Sequence, residues 1–160
     1  MTTMLVRPIA PTDEDAYRAI LESTTAEDRY CRFFHRVDHF DAEEVHRFVE
    51  DRDDTIGVVA FDGAEPLGAA HAVLLDAESA ELAIVVARGT RHVGVGTALL
   101  DALIARAKAR GLRRLVACAL RENHPFEHLA RHAGFRVDEA DGAAVHWVLP
   151  LTTGGEVAAT

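Results

Sequence analysis

Glu81-Leu82-Ala83-Ile84-Val85-Val86-Ala87-Arg88-Gly89-Thr90-Arg91-His92-Val93-Gly94-Val95-Gly96-Thr97-Ala98-Leu99-Leu100 changes its apolar period halfway along, and that change decides the fold. Leu82 to Val86 is short, continuous and β-branched at its end, which predicts a buried strand. Leu99, Leu100, Leu103, Ile104 and Ala107 recur at helical spacing, and Gly111 stands where a helix C-terminal cap belongs. Between them lies a glycine-bearing loop. A strand that turns through such a loop into a helix aims several free backbone N–H groups at one point. The positive end of the helix dipole faces the same point, so the loop is built to receive an anion. Gly94 and Gly96 have no Cβ, which leaves room for a phosphate to approach the backbone.

Glycines at this spacing also serve as plain strand-to-helix turns. The dinucleotide pattern Gly-x-Gly-x-x-Gly fails because position 99 is leucine, and no Gly-Lys-Ser/Thr follows to make a P-loop. What remains is Arg91-x-x-Gly94-x-Gly96 at the mouth of a long helix.

The 160 residues suffice for one well-buried domain. Apolar residues make up 49% and charged residues 27%, with no low-complexity run, so a folded globular domain is expected. No apolar stretch reaches the roughly 18 residues that cross a bilayer, and the N-terminus lacks the pattern of a secretory signal, so no membrane partner is expected. Cys31 and Cys118 stand apart, which suits reduced thiols in the cytoplasm. The net charge of −9 argues against a nucleic-acid partner and is compatible with a cationic one. Solubility alone would also account for it.

Outward from the loop, the pattern predicts a mixed α/β domain over residues 1–151, with residues 152–160 a mobile tail. A first strand covers Leu5 to Ile9, and Thr12 can cap a helix carrying Tyr17, Ile20 and Leu21. Further helices are expected from Ala26 and from Asp41. Strands follow at Thr55 to Phe61 and Pro66 to Leu75, joined by an Asp62-Gly63 turn. After the long helix come a strand at Leu115 to Leu120, a helix from Pro125 to Gly134, and strands at Phe135 to Val137 and Ala144 to Leu149.

The loop and this order of elements resemble the GNAT superfamily of acyl-coenzyme A-dependent N-acyltransferases. Glu122-Asn123-His124-Pro125 leading to Gly134-Phe135 is similar to that family's Asn-bearing helix ending in Gly-Phe, and Gly111-Leu112-Arg113-Arg114-Leu115 to its segment after the long helix. Arg29-Tyr30-Cys31-Arg32-Phe33-Phe34, with Glu81 ahead of the apolar strand, resembles a narrower branch, the bacterial Pat-type protein lysine acetyltransferases.

The resemblance implies a mixed, mostly antiparallel sheet, flanked by helices and splayed between the strand ending near Val86 and the strand Leu115 to Leu120. It implies acetyl-CoA as cosubstrate, with the backbone of Val85, Val86 and Ala87 pairing with pantetheine amides. The N–H groups of Arg91, His92, Val93, Gly94, Val95 and Gly96 would hold the pyrophosphate. The Arg91 side chain would add charge-assisted contacts there or stand as a solvated surface cation, the Thr97 hydroxyl would donate there or merely sit in the first turn, and Asn123 would make a polar contact or simply cap its helix. Glu81 is the candidate general base, and burial in an apolar strand would make it more basic. Its plainer reading is a solvent-facing strand-end carboxylate. A backbone N–H near Val86 would meet the developing oxyanion.

Where many members of the family carry a tyrosine acid, this chain has Ala130 after Leu129. His124, His128 and His132 share one helical face, yet no accompanying ligand pattern calls for a metal, and none is expected. Cys118 reads as core, and no Cys/His pattern in the sequence suggests covalent catalysis. The expected reaction is direct acetyl transfer to a primary amine, an acceptor protein lysine first. A small amine (an aminoglycoside, polyamine or amino acid) is the alternative acceptor, and a non-catalytic acyl-CoA-binding module is the third reading.

Overall fold

The computed structural model describes residues 4–24, 49, 53–89 and 93–151. Its strands are β1 (Met4–Pro8), β2 (Thr55–Asp62), β3 (Glu65–Leu74), β4 (Ser79–Val86), β5 (Arg114–Leu120), β6 (Arg136–Asp141) and β7 (Ala144–Pro150). The described α-helices are α1 (Glu14–Glu22), α2 (Val95–Ala109) and α3 (His124–Ala133). The helices expected from Ala26 and Asp41, and the tail from 152 onward, lie outside the described residues.

All seven strands join one sheet in the order β1-β2-β3-β4-β5-β7-β6. Every neighbouring pair is antiparallel except β4 with β5. That exception follows from connectivity. Each hairpin reverses the chain, whereas α2 carries it back across the sheet so that β5 starts from the same end as β4. β1 sits at an edge, where Pro8 removes no interior ladder bond.

Each face of the sheet carries its own apolar layer. On one, Leu99, Leu100 and Leu103 of α2 pack with Ala80 and Leu82 of β4, Leu115 and Ala117 of β5, and Trp147 of β7. Each of these α2 leucines is at most 1% exposed, and each contributes roughly 1.5–3 kcal/mol by burial. Gly111, at φ +82, ends α2 as expected, and the next N–H, of Leu112, reaches back to the Ala107 carbonyl. On the other face, Tyr17, Ile20 and Leu21 of α1 cover Val59, Ala69 and Val85.

Beyond one-residue shifts at the ends of several strands and helices, two features differ from the sequence reading. The turn before α1 is closed by Asp13, not Thr12: its carboxylate accepts the Ala10 N–H at 2.8 Å and two hydrogen bonds from the Arg7 guanidinium at 2.7 Å each. An arginine distant from the helix pattern could not be paired with Asp13 from spacing alone. β6 runs to Asp141, well past Val137, because its antiparallel pairing with β7 continues to the turn at Gly142. Among the described residues, no helix is long and apolar enough to cross a membrane.

Candidate active site

β4 and β5 are joined by three register pairs alone: Ser79 with Arg114, Ala80 with Leu115, and Glu81 with Val116. Beyond Glu81, β4 stays paired with β3 as far as Val86, and β5 stays paired with β7 as far as Leu120. The sheet therefore splits into a V that closes at Glu81 and opens toward Val86 and Leu120. Among the described residues no strand pairs with the backbone groups on its inner walls, which suits them to water or an extended ligand.

Strand parity says which groups these are. The Ala87 N–H donates to the Leu67 carbonyl at 2.7 Å, and the Leu75 N–H to the Ser79 carbonyl at 2.9 Å. Odd-numbered residues of β4 thus turn their backbone toward β3, and alternation turns Leu82, Ile84 and Val86 toward the V. Of the three residues named from the sequence, Val86 faces the gap. Val85 is turned toward β3, and the Ala87 N–H is already bonded there. Sequence reading misses Ile84; counting alternate residues outward from the β3–β4 turn would have found it.

At the open end of the V stands the first turn of α2. Gly94 is its N-cap, at φ +84, a conformation that costs a side-chain-bearing residue roughly 1–2 kcal/mol. No side chain caps this end, and no acid lies in the first turn. The N–H groups at the helix start are consequently left for an outside acceptor. A Cβ on Gly96 would lie 3.4 Å from Leu129 of α3 and 4.0 Å from Val86 of β4, so this turn leans directly over the mouth of the gap. Thr97 is exposed on the same turn, as is Val93 in the loop before it. Thr90, Arg91 and His92 lie outside the described residues.

Glu81 projects from the closed end of the V on the α1 face and is exposed. The burial expected of it is absent, because α1 packs on β3 and on β4 around Val85, away from Glu81. Cys118 does not belong to the core either. It is half-buried on the same face as Glu81, and its Sγ lies 4.0 Å from Nε2 of His146 on β7. Burial, with the Glu81 carboxylate adding to it, pushes the Cys118 thiol up from its usual range. Sequence reading misses this Cys/His pairing, which spans 28 residues and exists only through the β5–β7 register of Cys118 with His146.

Asn123 caps α3, its Oδ1 accepting the Phe126 N–H at 3.2 Å, which leaves its amide nitrogen available. Ala130 is fully buried among the α2–α3 contacts, so the position where a tyrosine acid was looked for lies in the core. His124, His128 and His132 are exposed on α3.

The ligand that suits this cleft is extended and amide-bearing along one part, and doubly phosphorylated at the end that meets α2. The pantetheine arm and pyrophosphate of coenzyme A have that form. Fold and cleft together define the acetyl-CoA-dependent N-acetyltransferases. The model of the acetyltransferase (GNAT) family matches residues 16–135, and the chain belongs to that family. It is similar to the GNAT domain of S. lividans PAT, with 28% identity over 91% of this chain and 89% of that one and a TM-score of 0.83. A phosphinothricin acetyltransferase from Sinorhizobium meliloti, solved with acetyl-CoA, shares the fold at 22% identity and a TM-score of 0.77, covering 97% of this chain and 91% of that one. So does yncA from Salmonella typhimurium, solved with its cofactor acetyl-CoA, at 18% identity and a TM-score of 0.73, covering 98% of this chain and 99% of that one.

Proposed function

We propose that this enzyme transfers the acetyl group of acetyl-CoA directly to the Nε of protein lysines in the cytoplasm, with Glu81 as general base. The observation that carries this reading is the place of Glu81, exposed at the closed end of the β4–β5 gap on the face opposite α2. The Arg29–Phe34 and Glu81 motifs, which resemble those of Pat-type protein lysine acetyltransferases, support a protein acceptor over a small amine.

A lysine amine has a pKa of ~10.4, so near neutral pH it arrives protonated and without a lone pair. Glu81, directly or through one water, takes that proton and leaves a neutral nucleophile. The amine nitrogen then bonds to the acetyl carbon and gives up its second proton to water, the carbon–sulfur bond breaks, and the electron pair leaves on sulfur. Bound acetyl-CoA supplies the acetyl group already activated as a thioester. The Val86 N–H, turned into the gap, opposes negative charge developing on the acetyl oxygen. With Ala130 in place of an acid, the sulfur leaves as a thiolate, a far weaker base than the alkoxide an oxygen ester would release. The −9 net charge favours encounter with cationic acceptors. In this reading Val93, Gly94, Val95, Gly96 and Thr97, with Arg91 and His92, hold the pyrophosphate, and Asn123 contacts the cofactor.

The test is incubation with isotopically labelled acetyl-CoA and two separate pools, cell proteins and small amines. Label on protein lysines is expected. Label confined to small amines would overturn the protein acceptor.

A further inference from the structure

On the α1 face, Val116 of β5 and Val148 of β7 are half-buried, adjacent in register and, among the described residues, outside both apolar layers of the core. Cys118, also half-buried, extends the same strip on β5, and His146 borders it on β7. Glu81 is the register partner of Val116, so the strip leads straight to the carboxylate. Register partners share a face, so these side chains form one surface: apolar in the middle, anionic at the β4 end. From β4 to β7 it spans two inter-strand spacings, about 10 Å.

From this arrangement we infer that the strip Val116–Val148–Cys118 is the acceptor's seat, and that it selects primary amines by an unbranched aliphatic stem of several methylenes. The inference rests on the reading of Glu81 as base and deepens it. Laid across Val116 and Val148, such a stem loses apolar surface to the protein while its amine reaches Glu81. A short amine reaches Glu81 without covering the strip. A polyhydroxylated amine would bury hydroxyl groups against valine side chains that offer them no partner, so it is disfavoured. The Cys118 thiol lies in the floor of the seat and therefore reports its occupancy.

Two measurements decide the matter, and both use the whole chain. The first is kcat/KM for linear alkylamines from ethylamine to hexylamine at saturating acetyl-CoA. Each methylene laid on the strip should raise kcat/KM about fourfold, the equivalent of ~0.8 kcal/mol per buried CH2. Val148→Thr, which keeps the shape and adds a hydroxyl, should flatten the series. The second is alkylation of Cys118 by N-ethylmaleimide in a Cys31→Ser background with desulfo-coenzyme A present, a cofactor analogue with no thiol to consume the reagent. Hexylamine should slow it at least fivefold, and ethylamine should leave it unchanged. A flat series in the unsubstituted enzyme, or equal alkylation rates with and without hexylamine, would overturn the seat. A rising series alongside unlabelled protein lysines would uphold the seat and overturn only the protein acceptor.

Discussion

Glu81 and Val116 are the last residues to pair across β4 and β5, and the sheet parts immediately beyond them. One register pair thus joins two functions. It ends the ladder, which frees the backbone of β4 for an extended cofactor, and it fixes a carboxylate at the point of closure. On the other side of the sheet the α2 layer packs on both strands, against Ala80 and Leu82 of β4 and Leu115 and Ala117 of β5.

The phosphate end of the cleft depends on Gly94. Alanine at φ +84 meets no neighbouring atom, so its cost is backbone strain alone. Gly94→Ala should lower stability by about 1 kcal/mol and weaken acetyl-CoA binding severalfold as the turn relaxes. Gly63→Ala carries the same kind of strain, at φ +59 in the β2–β3 turn, and should lose stability without losing affinity. Calorimetric titration and urea unfolding of both variants check this; equal affinities would contradict the role given to the turn.

Ala130→Tyr should not create the proton donor that many relatives carry. Ala130 is fully buried, so the ring would overpack the interface between α2 and α3 at a cost of roughly 1–3 kcal/mol. Thermal unfolding should show the loss, and turnover should not rise. A faster variant of unchanged stability would contradict the packing described for α3.

The Arg7–Asp13 pair gives stability a definite acid dependence. The hydrogen bonds from Arg7 hold the Asp13 carboxyl below the usual carboxylate range, although burial opposes them. A carboxylate depressed in the folded state stabilises above its unfolded pKa, ~3.9, and loses that contribution as pH falls through the lower folded value. Because the Arg7 side chain is 38% exposed, its contribution is discounted to about 1 kcal/mol. Asp13→Asn should therefore be less stable than the unsubstituted protein at pH 7, and the difference should shrink below about pH 4. A gap that widens on acidification would reverse the sign argued here.

The strands, the long helix and the glycine turn are legible in the sequence because each rests on local period and punctuation. The unbroken apolar run from Leu82 to Val86 marks β4, and Gly94 and Gly111 mark the two ends of α2. What stays hidden depends on register, which links residues far apart in the chain. The facing of Ile84, the exposure of Glu81 and the meeting of Cys118 with His146 all follow from which strands pair and where the pairing stops. Cys118 reads as core because it alternates within an apolar strand, yet alternation alone does not say which face is covered. The splay between β4 and β5 is expected only through the family resemblance, since no residue type marks it.

Glu81→Gln tests the central claim most directly. Glutamine keeps the size of the side chain and removes its capacity to take a proton. With acetyl-CoA affinity measured by calorimetry and turnover by release of free coenzyme A thiol, the account predicts a kcat lower by roughly 10²–10⁴-fold and a Kd for acetyl-CoA within about twofold of the original, as the carboxylate lies beyond the pyrophosphate turn. Unchanged turnover by Glu81→Gln would contradict it.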